Sequence, residues 1–218
     1  KAPAFSVPDL DRPGTTLTLE TFRGRPVLLE FWATWCPYCV ADLPTVHRVH
    51  GLYQDRLDIL SFSLDKRPED VAAFRKTKHP MPWRHAFLPG MKAHPVAEAY
   101  GAAGIPKYVL VGPDGTILAA GSELRGERLE LTLARLLAPN PAEAIRETIQ
   151  EAVRKLGEAR KAHLAKGQPA ATFQPETTHL HRGLTEWLAT ERRPEVRQAL
   201  LVGRYRLLVA ERKDPTPE

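Results

Sequence analysis

The fold is decided by the stretch Val27-Leu28-Leu29-Glu30-Phe31-Trp32-Ala33-Thr34-Trp35-Cys36-Pro37-Tyr38-Cys39. Its first half is a run of bulky, mostly apolar residues, which predicts a buried strand. After Cys39, apolar residues recur every three to four positions as far as Val49, which predicts a helix. Cys36 would then lie at the N-terminus of that helix, where the helix dipole and the free backbone N–H groups favour a thiolate. The stretch therefore predicts a redox-active dithiol.

Other uses of a Cys-x-x-Cys pair fit the sequence less well. A structural zinc ion usually takes four ligands, but Cys36 and Cys39 are the only two cysteines of the chain, and no second pair with ligand spacing follows. A covalent haem site needs histidine directly after the second cysteine, where this chain has Val40. Two inert core cysteines remain the weaker alternative, because a strand precedes the pair and a helix follows it. No metal site is predicted.

Three motifs resemble a known family. Residues 31–39 resemble the active-site segment of the thioredoxin superfamily, and residues 4–10 with 22–27 resemble the lead-in of one of its branches. Residues 104–111 with 113–115 are similar to the proline strand and following hairpin of that branch. On these motifs, residues 1–138 are identified as a member of the TlpA/ResA-like extracytoplasmic thiol–disulfide oxidoreductases.

Strand and helix patterns alternate along residues 1–138. Residues 57–65 predict a second strand, residues 69–76 a helix and residues 108–119 a β-hairpin. Residues 79–95 contain four prolines and are predicted to be irregular. We expect an α/β fold in which helices flank a mixed sheet, and the resemblance implies that this fold is thioredoxin-like.

The composition changes at Ala138-Pro139-Asn140-Pro141. Asn140 suits an N-cap, Pro141 suits the first helical position and Glu143 completes a capping-box pattern. Residues 139–218 are predicted to form an all-helical extension of about three helices, with no recognisable family. About 80 residues is close to the size at which an independent core becomes marginal. Docking on the redox domain or on a partner would therefore stabilise the extension.

Charge and hydropathy limit the partners. The net charge of +5 comes without a long basic run interleaved with aromatic residues, so we expect no nucleic-acid binding. No apolar run approaches the roughly 18 residues of a membrane helix. Because Lys1 is not a translation start, we expect a signal peptide or anchor to have been removed, so that any membrane anchor lies outside these residues. The resemblance implies a periplasmic or other extracytoplasmic location.

The two cysteines are predicted to have different tasks. Cys36, at the helix end and nearer to solvent, is the expected nucleophile that forms a mixed disulfide with a substrate. Cys39, one helical turn later, would resolve that intermediate. The resemblance implies that Pro37 and Tyr38, between them, influence the redox potential and contact the substrate. Since the Cys36–Cys39 disulfide is itself the redox group, no other cofactor is expected.

Two carboxylates are candidates for supporting roles. Alternation along the strand directs Glu30 inward, and burial would raise its pKa and make it a proton acceptor for Cys39. The resemblance matches Glu30 to the buried aspartate of thioredoxin, whose accompanying lysine is replaced here by Ser61. Asp42 matches a glutamate position that modulates the cysteines in the ResA-like branch. An ordinary solvated helix residue remains the alternative for Asp42.

Substrate contacts are expected from a distant part of the chain. Pro106 resembles the cis-proline found beside the active site in this superfamily, with an ordinary trans proline as the alternative. A cis bond would place the backbone of Ile105 to pair with an extended substrate segment. Trp35 is expected to line the same surface.

The sequence therefore predicts an enzyme that reduces or oxidises cysteines of protein substrates and works with an upstream electron donor or acceptor. The resemblance implies a reductant in cytochrome c maturation or metal-centre assembly. One alternative is a binding protein whose helical tail recruits a partner. A thiol peroxidase is less consistent, because such an enzyme needs threonine three residues before its reactive cysteine, where this chain has Ala33. The oligomeric state is not predicted.

Overall fold

The computed structural model describes residues 1–77, 79–169, 173 and 178–212. The chain divides into two compact units, Lys1–Gly126 and Glu127–Glu218. The predicted domain boundary at residue 138 lies one helix later. The helix Glu127–Leu137 groups with the second unit because its Leu131 and Ala134 belong to the apolar cluster of the following helices.

The first unit is built on a mixed sheet. Within the described residues this sheet has five strands in the order β5-β4-β3-β6-β7. Strand β3 pairs in parallel with β4 and antiparallel with β6, while β5 and β7 form the two edges. A separate antiparallel pair joins β1 to β2. The strands are β1 Ser6–Pro8, β2 Thr16–Thr18, β3 Val27–Trp32, β4 Asp58–Ser63, β5 Arg84–Phe87, β6 Lys107–Val111 and β7 Ile117–Ala120.

Strand β3 is the central strand of this order, and every residue in it is buried. Helices α1 to α3 belong to the same unit. In its apolar core, four aromatic rings contact one another: those of Phe5, Phe31, Phe62 and Tyr100. The predicted α/β fold with a mixed sheet flanked by helices is confirmed. The helices of this unit are α1 Pro37–Tyr53, α2 Pro68–Thr77 and α3 Pro95–Ala99.

The prediction that residues 79–95 are irregular was wrong for three parts of the segment: Arg84–Phe87 is a strand, Met91–Ala93 is a 3-10 helix, and Pro95 begins α3. Arg84–Phe87 forms β5, which pairs in parallel with β4 from Leu60 to Ser63. The segment has neither a long apolar run nor clean alternation, and prolines precede and follow it. Its strand conformation comes from hydrogen bonding to the edge of β4, a tertiary interaction that local propensity does not report.

The second unit is helical in its described residues. Asn140 caps α5 as predicted: its side chain accepts the Glu143 N–H at 3.3 Å and donates to the Glu143 carboxylate at 2.9 Å. The buried apolar side chains of these helices form one cluster. No described helix combines the length and the apolar character needed to cross a membrane. The helices are α4 Glu127–Leu137, α5 Pro141–Ala165, α6 Thr178–Thr190 and α7 Pro194–Arg212.

Candidate active site

The two cysteines lie where a strand gives way to a helix. Cys36 is the N-cap of α1 and Pro37 occupies its first position, as the sequence predicted. The two cysteines form a disulfide, and Cys36 Sγ accepts the backbone N–H of Cys39 at 3.2 Å. The same N–H and the helix dipole would stabilise a Cys36 thiolate in the reduced protein. Cys36 keeps 4 % of its surface exposed and Cys39 none, so a substrate reaches Cys36 first.

Two aromatic side chains flank the disulfide on the surface. Trp35 is 51 % exposed and Tyr38 is 71 % exposed, although large apolar groups are normally buried. Pro37, between Cys36 and Tyr38, is also exposed. Together these side chains form a mainly apolar surface, with the polar groups of Trp35 and Tyr38 at its edge, around the accessible sulfur of Cys36.

The loop that contains Ile105 and Pro106, here called the proline loop, lies beside the disulfide although it is distant in sequence. The Ile105–Pro106 peptide bond is cis, which agrees with the expectation from the resemblance. The carbonyl oxygen of Ile105 lies 3.8 Å from Cys36 Sγ. The backbone of Ile105 therefore lies directly beside the reactive sulfur.

Glu30 on β3 is fully buried. It faces Ser61 of β4 and Tyr108 of β6 in the sheet register. The Ser61 hydroxyl donates to Glu30 Oε2 at 2.5 Å, and the Tyr108 hydroxyl donates to Oε1 at 3.2 Å. Burial raises the pKa of Glu30 to about 7, although the bonds from Ser61 and Tyr108 oppose the rise; the nearby charge of Asp42 adds to it. A carboxylate with this pKa exchanges protons near neutral pH.

Asp42 is not an ordinary solvated helix residue. Its side chain is mostly buried and lies 3.5 Å from Arg125 Nε. Burial raises the pKa of Asp42, and Arg125 partly offsets the rise. Asp42 is three residues after Cys39, so both lie on one face of α1. The Asp42 charge also raises the pKa of Glu30, so the two carboxyl groups are electrostatically coupled.

Sequence reasoning missed the residue that anchors the loop before Cys36. The buried Asp65 carboxylate accepts the Thr34 hydroxyl at 2.7 Å and the Thr34 backbone N–H at 3.1 Å. Ser63 donates to the other oxygen of Asp65 at 2.8 Å. The signal was the alternation in Ser61-Phe62-Ser63-Leu64-Asp65, which puts three polar residues on one face of a buried strand and its extension.

A second missed residue is Trp83. Its indole Nε1–H donates to Ser61 Oγ at 2.8 Å, which connects it to Glu30. Trp83 precedes β5, in the segment that was expected to be irregular, so nothing in the local pattern linked it to the site. Among the described residues, no group of three or more His, Cys, Asp or Glu side chains is arranged to hold a metal ion.

Comparisons with known proteins match this architecture. The model of the AhpC/TSA family matches residues 1–120, more than half of the chain. The thiol-disulfide oxidoreductase ResA of Bacillus thuringiensis is 28 % identical over 138 residues, which are 63 % of this chain and 75 % of the relative. The thiol:disulfide interchange protein DsbE of Allochromatium vinosum is 33 % identical over 120 residues, which are 53 % of this chain and 61 % of that protein.

Solved structures agree with the sequence relatives. The thioredoxin domain of a thiol-disulfide oxidoreductase from Bacteroides vulgatus has a TM-score of 0.55 at 32 % identity, covering 63 % of this chain and 95 % of the domain. A thiol-disulfide oxidoreductase from Bacteroides fragilis has a TM-score of 0.55 at 30 % identity, covering 62 % of this chain and 98 % of the other. The resemblance drawn from three short motifs is thus confirmed, by sequence and by fold, over the part of the chain that the comparisons cover.

Proposed function

Because the chain belongs to the AhpC/TSA family and is a thiol–disulfide oxidoreductase of the ResA/DsbE type, we propose that it reduces disulfides of protein substrates outside the cytoplasm. The observation that carries the proposal is the Cys36–Cys39 disulfide at the N-terminus of α1, with the more exposed sulfur next to the cis Ile105–Pro106 bond. The disulfide itself is the redox group, so the reaction needs no further cofactor.

The reaction proceeds by two thiol–disulfide exchanges. The Cys36 thiolate attacks one sulfur of the substrate disulfide, and the other substrate sulfur leaves as a thiolate. The Cys39 thiolate then attacks Cys36 Sγ and releases the second substrate thiolate. Two electrons have passed to the substrate, and the Cys36–Cys39 disulfide has formed. An upstream protein donor reduces this disulfide again by the same chemistry.

Glu30 is proposed to accept the proton of Cys39. Cys39 has no exposed surface, so its thiol cannot lose its proton directly to bulk water. The pKa of Glu30, raised to about 7 by burial, suits a group that takes up a proton near neutral pH and later releases it. Asp42, on the face of α1 that carries Cys39, is proposed to modulate this exchange through its charge.

The substrate is proposed to bind in extended form along the proline loop. The backbone of Ile105, fixed by Pro106, would pair with the substrate main chain. The exposed side chains of Trp35, Pro37 and Tyr38 would contact the residues beside the substrate cysteine. Because this binding mode recognises main-chain groups and apolar side chains, it suits a substrate disulfide in an unfolded or flexible segment.

The pathway is a finer part of the proposal. Relatives named ResA and DsbE support a place outside the cytoplasm, with cytochrome c maturation or metal-centre assembly as the process that supplies the substrate. Cell fractionation that found the protein only in the cytoplasm would contradict this location.

A redox titration of the full chain combined with a trapping variant tests the proposal. We expect a potential close to the thioredoxin value of about −270 mV; a value close to about −120 mV, typical of a strong oxidant, would contradict a reducing role. Cys39→Ala should accumulate mixed disulfides on Cys36, and Cys36→Ser should abolish insulin reduction. A Cys36→Ser chain that still performed the protein's role in the cell would favour the partner-recruiting alternative.

A further inference from the structure

Ser61 is hydrogen-bonded on two sides inside the sheet. Its Oγ lies 2.5 Å from Glu30 Oε2 and 2.8 Å from Trp83 Nε1. Glu30 and Ser61 have no exposed surface, and Trp83 is 9 % exposed. The three side chains therefore form a short buried chain of hydrogen bonds that starts at the indole and ends at the carboxylate.

The direction of these bonds follows from the groups themselves. An indole N–H can only donate, so Ser61 Oγ accepts from Trp83. An ionised carboxylate can only accept, so the single hydroxyl hydrogen of Ser61 is directed to Glu30. Trp83 thus occupies an acceptor position of the hydroxyl and orients its hydrogen towards the carboxylate. Such aligned bonds strengthen one another in a low-dielectric interior.

We propose that Trp83 is a positioning residue that acts through Ser61 to keep Glu30 in its ionised, proton-accepting form. The inference rests on the proposed function, because it assigns Glu30 the proton of Cys39. At the position where thioredoxin has a lysine, this chain has Ser61. Two neutral dipoles in series, one from the indole and one from the hydroxyl, would do here what a buried cation does there. They avoid the desolvation of a second charge.

The other groups that face Glu30 do not replace this pair. Tyr108 of β6 donates to the other carboxylate oxygen at the longer distance of 3.2 Å. Asp42 of α1 opposes ionisation by its charge, and Arg125 lies against Asp42. Cys39 occupies the same helix face as Asp42 and supplies the proton. The Ser61 hydroxyl is therefore the shortest bond that stabilises the ionised form of Glu30.

Trp83 is held in place by aromatic neighbours. The rings of His47 and His50 from α1 have centroids 4.9 and 5.4 Å from the Trp83 ring, and His85 of β5 lies 6.1 Å away. Burial lowers the pKa of His47 and of His85. Because the imidazoles of His47 and His85 also change charge with pH, a test must follow the Glu30 carboxyl itself and not a global pH profile alone.

The experiment measures the Glu30 titration by ¹³C NMR of the oxidised full chain with labelled glutamate, using Glu30→Gln to assign the signal. Trp83→Phe keeps the aromatic volume and removes the donor, and Ser61→Ala removes the hydroxyl. We expect Glu30 to become a weaker acid by about threefold to tenfold in Trp83→Phe, the size of one lost hydrogen bond, and by at least as much in Ser61→Ala. Trp32→Phe is the matched control, because Trp32 is buried on β3 and its Nε1 has no hydrogen-bond partner among the described residues.

The kinetic readout is the rate at which Cys39 resolves a mixed disulfide on Cys36. Its acid limb should move to higher pH in Trp83→Phe by the same amount as the NMR titration, while Trp32→Phe leaves both unchanged. A Glu30 titration that is unaltered in Trp83→Phe would overturn the inference, even if Ser61→Ala shifts it. If the wild-type chain fails to reduce insulin while Trp83→Phe still shifts the Glu30 titration, the proposed function is contradicted and the action of Trp83 on Glu30 through Ser61 is supported.

Discussion

The two units of this protein use their interiors differently. The sheet unit buries the carboxylates of Glu30 and Asp65, and hydroxyl groups donate hydrogen bonds to both. In the helical unit, the core cluster is apolar: Leu131, Ala134, Ala142, Ile145, Ile149, Ala152, Leu180, Leu184, Trp187, Leu188, Val196, Ala199, Leu200 and Leu207. A buried carboxylate costs stability, and such groups are typically retained where their shifted pKa serves a function. The sheet unit therefore loses stability around its reactive site, whereas the apolar cluster of the helical unit contributes stability, although that unit also buries Arg128, Glu130 and Thr132 of α4.

The largest expected effect on stability lies in the helical unit. Leu200→Ala removes a fully buried side chain of α7 and should destabilise the protein by about 3 kcal/mol, within the usual 2–5 for such a cavity. Insulin reduction below the unfolding transition should not change. Leu201→Ala is the matched control, because the neighbouring Leu201 is 49 % exposed and should cost less than about 0.5 kcal/mol. Reduction that fell together with stability would break the comparison between the units.

The buried carboxylate of the sheet unit should have the opposite effect on stability. Burial raises the pKa of Glu30 from 4.5 to about 7 in the folded protein. Between these values the folded state binds more protons than the unfolded state, so the free energy of unfolding falls as pH rises and then levels off above about 7. Relative to the wild type, Glu30→Gln should therefore gain stability across this window, on the order of 3 kcal/mol. At the same time it should slow the resolution of mixed disulfides.

Urea unfolding of both proteins at several pH values measures this gain. Glu20→Gln is the control, because Glu20 is exposed and its pKa is lowered by the hydrogen bond from Arg23. Its pH-dependent effect should be small and of opposite sign. A stability difference between Glu30→Gln and the wild type that does not vary with pH would contradict a buried, titrating Glu30.

A smaller effect on stability is expected at two glycines of the helical unit, one tightly packed and one with open space around it. A Cβ added at Gly203 of α7 would lie 2.0 Å from the terminal carbon of Ile149 on α5, so Gly203→Ala forces Ile149 to move and should cost about 1–3 kcal/mol. Gly157→Ala lies on α5 with nothing near the added carbon. It should instead stabilise the protein by about 0.5–1 kcal/mol through helix propensity. Thermal unfolding compares the two variants, and a Gly203→Ala protein as stable as Gly157→Ala would contradict the close approach of α5 and α7.

Sequence reasoning succeeded where one local motif carries both the geometry and the chemistry. The apolar run before Cys36 predicted the central strand, and the dithiol spacing predicted the start of α1. Burial of Glu30 followed from alternation along that strand. The resemblance supplied the cis bond at Pro106, which no composition rule would have indicated.

Sequence reasoning failed where a role depends on tertiary contacts, such as the register of neighbouring strands. Trp83 bonds Ser61 only because β5 adds to the edge of β4, and the segment containing β5 has no strand pattern of its own. Asp65 anchors Thr34 because the chain after β4 runs beside the end of β3. The domain boundary was predicted at residue 138 from the change of composition and the capping pattern that follows, whereas Leu131 of α4 belongs to the apolar cluster of the later helices, a packing relation that local sequence does not report.

The smallest expected change in stability should have a disproportionate effect on activity. Thr34→Val keeps the shape of the side chain and the backbone N–H bond to Asp65, but it loses the 2.7 Å bond from the hydroxyl. The cost to stability should be about 1 kcal/mol, less than for Leu200→Ala. Because Thr34 is two residues before Cys36, a looser loop should slow the formation of mixed disulfides severalfold, measured by stopped-flow with a small disulfide. Thr77→Val is the control, since the exposed Thr77 hydroxyl donates to the α2 carbonyl of Ala73 and lies far along the chain from the cysteines. If Thr34→Val reacted as fast as Thr77→Val, the polar contacts of the sheet unit would be structural, and the contrast with the helical unit would lose its functional meaning.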